Sequence, residues 1–436
     1  MAKQHLLAVA LILGGSVMFA ACSSVSVNDG SGGEAGEAGD NGQSGSPTSD
    51  AGSKGDAGNT GEGGDMTVAD VDPAVLNPVG AIVPFAGPTT FTHLLVGVSD
   101  YGKPGEGTGE VVSLTIGTGK ILGSDTYADG DVIAVGSAGV SFAIERGNDK
   151  VNLLDAGKIS TTFDLKDKGT DTAPVDNKAY VPLLNKSAIA ILDLAEGKVS
   201  RRIDLSEYQD AADKDGSVEV AEGVYEPKSN IVYFLLQRIN LLSFDKDFHL
   251  PCSTTTALVV GIDATTDKQV DLNGKAAGKA IELKLANPRS LSVNADGDTL
   301  YLLADGCYVG AKPKLRGVEV VDLPTAATTV AYEDASTEYL SSMILTSGSE
   351  ALIKTSDGMF TTHWRKLDIA SGTLTGELMN VPSSPTFDGK DLLGVDVTGT
   401  VGAVVRYKLA TQTSTVISAT SWAGKYMSTP STALVE

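Results

Sequence analysis

Beyond residue 65 the hydrophobic pattern consists of short apolar runs, rich in Val, Ile, Leu and Thr, that are separated by Gly, Asn, Asp and Pro. No long stretch shows the spacing of three and four residues that an amphipathic helix requires. Short apolar runs bounded by turn residues are typical of β-strands. The pattern therefore predicts an all-β body over residues 66–436.

One segment of this body recurs along the chain. In residues 188–199 an apolar strand ends at Asp193, a turn with Gly197 follows, and a second strand begins at Lys198. Similar segments place the equivalent position at residues 115, 155, 263, 322, 368 and 408. Repeats of about 40 residues, with four short strands each, are the signature of propeller blades. The sequence thus predicts a seven-bladed β-propeller, with six or eight blades as alternatives.

The recurring hairpin is interpreted as the third and fourth strands, C and D, of each blade. Strands A and B precede it, as in residues 289–293 and 299–304, which flank an Asn-Ala-Asp-Gly turn. A propeller also needs a strand that closes the ring between its ends. Two candidates fit this role, residues 80–84 and residues 425–435.

The clearest repeat carries a family resemblance. Asn177-Lys178-Ala179-Tyr180-Val181, followed by residues 188–193 and by Gly197-Lys198-Val199, resembles the YVTN-type β-propeller repeat of quinoprotein-like and WD40-like proteins. The resemblance implies the fold and no single activity, because proteins with such repeats include binding modules, lactonases and quinoprotein-like or haem enzymes.

Residues 1–21 have the parts of an export signal: Lys3, an apolar stretch over residues 6–19, and Phe19-Ala20-Ala21 before Cys22. The stretch is too short to span a bilayer. This order resembles the bacterial lipoprotein signal, although Phe19 stands where Leu is usual. The resemblance implies lipidation of Cys22, and Ser23 implies sorting to the outer membrane of a Gram-negative-type bacterium, facing the periplasm or the outside. The alternative is an ordinary secretory signal.

Residues 22–65 predict a disordered tether behind this anchor. After Cys22 they hold thirteen Gly, eight acidic residues, one Lys and no aromatic residue, so they cannot bury enough apolar surface to fold. The whole chain has Lys+Arg 33 against Asp+Glu 55, a net charge of −22. That balance excludes the usual electrostatic footprint of a protein that binds nucleic acid or an anionic membrane surface.

Two long spacings, before residues 263 and 322, predict insertions in the B–C loops of blades 4 and 5. Cys252 lies in the first insertion and Cys307 in the second. Because an exported protein permits disulfides and the two loops are equivalent in adjacent blades, we expect a Cys252–Cys307 disulfide. The alternative is two separate buried thiols.

The same loops hold the candidate binding residues. The blade 4 loop is unusually apolar and the blade 5 loop carries a rare basic cluster, so the pair could form a ligand wall over the channel mouth. The alternative is that these side chains only pack beneath the disulfide. The candidates are Leu242, Phe244, Phe248, His249, Tyr308, Lys312, Lys314 and Arg316.

Motifs for catalysis are not visible in the sequence. His93, His249 and His363 are isolated from one another, and no nucleophile elbow, phosphate-binding loop or covalent haem motif occurs. One weak calcium pattern remains, in which Asp213, Asp215 and Glu222 take positions of an EF-hand-like loop. A solvated acidic loop is the alternative, and the sequence leads us to expect no cofactor.

These observations favour a non-enzymatic binding or scaffold propeller for a protein, peptide or glycan, anchored at the outer membrane. The competing hypothesis is an extracytoplasmic enzyme of lactonase or quinoprotein-dehydrogenase type, with its site in the channel. Propeller active sites draw single residues from several blades, so a missing local motif does not exclude an enzyme.

Overall fold

A computed structural model describes residues 91–98, 108–128, 130–137, 139–211, 213–245, 249–252, 255–274, 278–336, 338–356, 362–396, 403–418 and 431–435. The predicted signal, Cys22, the tether and the first candidate closing strand, residues 80–84, lie outside these residues. Among the described residues no helix has the length and apolar character needed to cross a bilayer.

The described chain forms seven antiparallel sheets of four strands or more. In six of them strands A to D follow the chain order, and in blade 1 strand A comes from the C-terminal end of the chain. The first three blades, 1 to 3, contain the following strands. Blade 1 has β1 (His93–Val98), β2 (Gly109–Thr115) and β3 (Ile121–Tyr127); blade 2 has β4 (Val132–Ser137), β5 (Val140–Glu145), β6 (Lys150–Asp155) and β7 (Lys158–Asp164); blade 3 has β8 (Ala173–Val175), β9 (Lys178–Leu183), β10 (Ala188–Asp193) and β11 (Lys198–Asp204).

Blades 4 and 5 carry extra strands beside the four-stranded pattern. Blade 4 has β12 (Val220–Glu226), β13 (Ile231–Leu236), β14 (Leu258–Asp263), β15 (Lys268–Val270) and β16 (Ile281–Glu282); blade 5 has β17 (Pro288–Val293), β18 (Thr299–Ala304), β21 (Gly317–Asp322) and β22 (Ala327–Glu333), with the inserted hairpin β19 (Cys307–Val309) and β20 (Lys312–Lys314). The hairpin inserted in blade 5 and the long connection from β13 to β14 in blade 4 lie between strands B and C, as predicted, whereas β16 follows strand D of blade 4.

Blades 6 and 7 complete the series. Blade 6 has β23 (Tyr339–Leu345), β24 (Glu350–Ser356), β25 (Thr362–Asp368) and β26 (Thr373–Leu378); blade 7 has β27 (Ser383–Phe387), β28 (Leu392–Asp396), β29 (Ala403–Lys408) and β30 (Thr413–Ser418). All seven sequence-predicted hairpins are strands C and D of a blade, so the predicted seven-bladed propeller is confirmed.

The C-terminal strand β31 (Ser431–Val435) closes the ring. It pairs antiparallel with β1, with His93 opposite Val435, and becomes the innermost strand of blade 1. Seven separate hydrophobic clusters lie between successive blades, including one between blades 7 and 1. The core is therefore a closed circle of interfaces, which buries every blade face and leaves few open sheet edges.

The Asp that recurs in the repeat stabilises the turn between strands C and D. Asp193 Oδ1 accepts hydrogen bonds from the N–H groups of Ala195 and Glu196, and Asp263 Oδ1 accepts from Thr265 and Thr266 in the equivalent turn. An Asx turn of this kind fixes the tight connection from strand C to strand D. The repeat motif is thus a turn signal, and it carries architecture rather than chemistry.

Candidate functional site

The B–C loops of blades 4 and 5 form a joined structure on one face of the propeller, which we call the rim: residues 237–245, 249–252, 255–257 and 305–316. The predicted disulfide is present, with the Cα atoms of Cys252 and Cys307 4.7 Å apart. Backbone hydrogen bonds run beside it, from Tyr308 N–H to Leu250 O at 2.8 Å and from Cys252 N–H to Tyr308 O at 3.0 Å. The disulfide and these bonds hold the two loops in one arrangement.

Tyr308 organises the centre of the rim. Its ring stacks on His249 with the ring centroids 4.1 Å apart, and the guanidinium carbon of Arg316 lies 5.5 Å from its centroid. Arg316 also donates a hydrogen bond to the Tyr308 hydroxyl at 2.8 Å. Burial raises the pKa of Tyr308 to about 12, so the phenol stays neutral and the contact is a hydrogen bond to a neutral group.

Arg316 does not lie in a ligand wall, where the sequence analysis placed it. It is fully buried, its Nε donates to Asp305 O at 2.8 Å, and one terminal nitrogen donates to Glu338 O at 2.6 Å. Asp305 and Asp334 lie within ion-pair distance. Arg316 directly precedes β21, and its side chain turns inward to neutralise the buried carboxylates. It is therefore a structural residue beneath the rim and not a ligand contact.

The outer side of the rim is exposed, and it mixes apolar and basic side chains. Leu242 is 71% exposed, Val309 62% and Leu315 44%. Lys312 and Lys314 are exposed on β20. Phe244 is half-buried, and Phe248 lies outside the described residues. The structure thus brings His249 and Tyr308 together and puts the two lysines on the adjoining hairpin.

A polar groove lies on the same face, beside the base of the blade 4 loop. Its volume is about 890 Å³, within the usual range for ligand sites. Charges of both signs line it, including Glu207, Arg238, Asp271, Lys279, Glu282 and Lys284. Such a lining suits a polar ligand better than an apolar one.

Carboxylates occupy the inner edge of the blades. The innermost strand of each blade has one edge without a partner strand, so its free N–H groups need other acceptors. Three hydrogen bonds meet this need between neighbouring blades: Gly223 N–H to Asp171 at 3.2 Å, Leu291 N–H to Glu222 at 2.7 Å, and Leu340 N–H to Asp305 at 3.1 Å. Asp171 and Glu222 thus tie consecutive inner strands together, whereas Asp305, which follows strand B of blade 5, ties the rim to the inner strand of blade 6.

The inner-edge carboxylates have raised pKa values. Burial raises the pKa of Asp171 to about 6, although the hydrogen bond from Gly223 N–H acts to lower it. Burial, and then the charge of Asp171, raise the pKa of Glu222 well above its usual range. Both residues keep some solvent exposure. The two residues lie at the boundary between blades 3, 4 and 5, where burial, and for Glu222 the charge of Asp171, favour the protonated form of a carboxyl.

The acidic loop between blades 3 and 4 differs in composition from the predicted calcium pattern. Asp213, Asp215 and Glu219 bring carboxylate oxygens within 4.8 Å of one another, an arrangement that could hold a metal ion. Glu222 is not part of this cluster, because it lies on β12 and accepts from Leu291 N–H. The EF-hand spacing presumes a helix after the loop, whereas here an extended strand follows, and Glu219 is the side chain next to the aspartates.

Burial sets the electrostatics of this cluster. Burial and the neighbouring charge of Asp215 raise the pKa of Asp213 to about 6. Burial, followed by the charge of Asp215, raises the pKa of Glu219 to about 9. The cluster therefore holds carboxylates that are costly to ionise together unless a proton or a cation compensates them.

The three histidines beyond the signal are dispersed. His93 lies beside Thr92 on blade 1, His249 is in the rim and 3.3 Å from Asp245, and His363 is 2.8 Å from Glu377 on blade 6. They do not converge on one site.

Several of these groups had no signal in the sequence. Asp171 and Glu222 are 51 positions apart and meet only because consecutive inner strands are neighbours. Arg289 pairs with Asp305 at 3.1 Å from a bulge in β17. The one usable signal was the density of acids over residues 213–219, which points to Glu219 as readily as to Glu222.

The amino-acid sequence matches no protein-family model. No curated protein matches it either. Among solved structures the fold is similar to a protein provisionally assigned as a 6-phosphogluconolactonase from Bacteroides fragilis, with a TM-score of 0.51 and 14% identity over 79% of this chain and 99% of that one.

Two further solved structures share the fold more distantly. TolB from Acinetobacter baumannii has a TM-score of 0.44 and 11% identity over 80% of this chain and 68% of its own. AztD from Citrobacter koseri has a TM-score of 0.44 and 13% identity over 79% of this chain and 99% of its own. At 14% identity the likeness to the Bacteroides fragilis structure is one of fold alone.

Proposed function

We propose that this protein is a non-enzymatic binding module, which holds a protein, peptide or glycan on its rim while a lipid on Cys22 anchors it to the outer membrane. The disulfide supports the extracytoplasmic part of this proposal, because such bonds persist in oxidising compartments. The lipid anchor is supported by the signal-like order of residues 1–22, and the outer-membrane location by Ser23 directly after Cys22.

The exposed apolar surface of the disulfide-locked rim is the observation that carries the proposal. Eight large apolar side chains are strongly exposed among the described residues, and three of them, Leu242, Val309 and Leu315, belong to these two loops. Exposed apolar side chains concentrated on a rigid loop pair are typical of an interaction site. Lys312 and Lys314 add positive charge in a protein of net charge −22, which favours a partner with acidic groups.

A retention assay with paired variants tests the binding role. The full chain is immobilised and exposed to envelope proteins and to a glycan array, beside a rim variant with Val309→Ser, Lys312→Ala and Lys314→Ala. A control variant carries Val416→Ser on β30, where Val416 is 59% exposed. We expect the rim variant to lose a ligand that the wild type and the control retain. Equal retention by all three would refute the role of the rim.

The anchor is tested separately. Cys22→Ser should release the chain from the membrane fraction and remove the mass of the acyl chains from its N-terminus, since stable anchoring depends on them. An unmodified Cys22 in the wild type would contradict the anchor and leave the binding role untouched.

A lactonase-like or dehydrogenase-like enzyme is the second candidate, and the Asp171–Glu222 pair is the observation that favours it. Carboxyls with raised pKa values at the inner edge of a propeller could exchange protons with a substrate in the channel. Hydrolysis of sugar lactones would support this candidate if Asp171→Asn abolishes it. So would oxidation of an added alcohol or sugar, with a quinone cofactor present to pass the two electrons to an artificial acceptor, if the same variant abolishes it.

A further inference from the structure

The loop between blades 3 and 4 contains acidic side chains that the protein itself leaves without partners. Asp213 is 8% exposed, and neither of its carboxylate oxygens has a hydrogen-bond partner. Glu219 is fully buried, and its Oε1 has no partner either. Buried polar atoms are nearly always hydrogen-bonded, so three such oxygens in one place require an explanation.

The remaining oxygens of the cluster are held by backbone donors. Asp215 Oδ1 accepts from Ser217 N–H at 3.0 Å and Oδ2 from Leu241 N–H at 2.6 Å. Glu219 Oε2 accepts from Ile239 N–H at 2.9 Å. These bonds fix two of the three carboxylates while leaving Glu219 Oε1 and both oxygens of Asp213 facing the cluster.

No Lys or Arg in the described part of the chain forms an ion pair with Asp213, Asp215 or Glu219. The nearest basic residue of the loop, Arg238, is paired with Asp210 at 3.2 Å. The charge of Arg238 still acts on Asp213, but among the described residues the buried Asp213 and Glu219 and the half-buried Asp215 have no ion-pair partner.

We propose that Asp213, Asp215 and Glu219 form a calcium site that joins the loop between blades 3 and 4 to the base of the rim. All three candidate ligands are oxygens, the type that Ca²⁺ prefers, and water would supply the rest of its six to eight ligands. Ile239 and Leu241, which donate to the ligating carboxylates, belong to the blade 4 half of the rim. Bound calcium therefore fixes the start of that loop.

Calcium titration of the full chain tests this site directly. After removal of metal with a chelator, we expect isothermal titration calorimetry with CaCl₂ to show one tight site per chain. The midpoint of thermal unfolding should rise by about 2–5 °C in calcium relative to chelator, because a ligand that binds only the folded state stabilises it. No tight site and identical unfolding midpoints in the wild type would overturn the proposal, whatever the variants do.

Three variants locate the binding. Asp213→Asn and Glu219→Gln each remove one ligand charge, and we expect each to weaken calcium binding about tenfold or more and to abolish the calcium-dependent rise. Glu207→Gln is the matched control: it makes the same change on an exposed side chain of the same connection and should bind as the wild type does.

Two results would contradict the assignment of ligand or of metal. If Asp213→Asn binds calcium as tightly as the wild type, the ion lies elsewhere, for example on the acidic tether. If Mg²⁺ binds as tightly as Ca²⁺, the site is not a calcium site, since Mg²⁺ demands a stricter octahedral geometry.

Discussion

At the scale of single residues, this propeller puts buried charge to two uses. Arg316 neutralises the buried Asp305 and Asp334 beneath the rim. Carboxylates at the inner edge accept N–H groups that have no neighbouring strand, as Glu222 does for Leu291. Neither use was visible in the sequence, where Arg316 reads as one of several loop cations. A linear sequence shows the type and spacing of charged residues but not which of them face each other across blades.

Removing the charge of Arg316 should destabilise the protein strongly. Arg316→Met leaves the buried Asp334 without its ion pair and Asp305 with Arg289 as its remaining partner. Loss of one partner of a buried ion pair costs about 3–5 kcal/mol. Lys314→Met, the same kind of change on an exposed neighbour, should alter the free energy of unfolding by about 0.5 kcal/mol or less. Urea unfolding of both variants measures the contrast, and similar losses would contradict the buried network.

The Asp171–Glu222 pair should make stability depend on pH. Its raised pKa values mean that the folded state binds more protons than the unfolded state between about pH 4, where free carboxyls titrate, and the raised values. Stability should therefore fall as the pH rises through that window. Glu222→Gln cannot titrate, so the free energies of unfolding at pH 5 and pH 7.5 should differ less than in the wild type.

The free energies of unfolding of the wild type and of Glu222→Gln are measured in urea. Saturating calcium is present, because it keeps the cluster of Asp213, Asp215 and Glu219 in one state. Glu207→Gln, which removes an exposed carboxyl, should keep the wild-type dependence. An unchanged dependence in Glu222→Gln would show that the pair does not hold the extra protons.

At the scale of elements, local sequence signals were sufficient to predict the strands of the blades. The strand–turn–strand template identified strands C and D of all seven blades, because a short apolar run and its turn lie within about a dozen positions. The turn residue is Asp in five blades, and Thr115 and Lys408 take its place in blades 1 and 7. The disulfide was also predictable, because equivalent loops of adjacent blades are neighbours. The arrangement of the rim side chains was not, because a long insertion has no repeat from which to infer its path.

Opening the disulfide should loosen the rim and lower stability. In the chain-entropy model, a cross-link across a sequence separation of 55 stabilises by about 4 kcal/mol at most. Cys252→Ser with Cys307→Ser should therefore lower the free energy of unfolding by up to this amount. Hydrogen exchange should also rise at Tyr308 and Cys252, whose amides bond across the two loops, while exchange in blade 2 stays unchanged.

Unchanged hydrogen exchange at these two amides in the double variant would contradict a rim held rigid by the disulfide. Wild-type protein under mild reduction serves as the second control, because it opens the same bond without a substitution.

At the scale of the whole molecule, ring closure connects the two ends of the described chain. β31 pairs with β1, and Leu434 packs in the cluster between blades 7 and 1. The blade count could be predicted from the sequence, and the closing strand was one of two candidates. The choice between these candidates could not be made, because pairing across more than 300 residues has no local signature.

Breaking the closing strand should open the ring. Leu434→Asp places a charge in the cluster between blades 7 and 1, and Ala433→Pro removes an N–H from the β31–β1 pairing. Each should cost several kcal/mol and increase proteolysis of blades 1 and 7 first. Val416→Asp on the exposed β30 is the control and should have little effect. Uniform proteolysis along the chain would contradict closure by β31.

The disulfide-locked rim is proposed as the surface that holds a partner. Photo-crosslinking in living cells tests it most directly, with p-benzoylphenylalanine placed at Val309 on the rim or at Val416 on β30, two positions of nearly equal exposure, 62% and 59%. We expect a discrete adduct from position 309 that is absent from position 416 and lost when Lys312 and Lys314 are replaced by Ala. Adducts of the same pattern from both positions, or none from position 309, would contradict it.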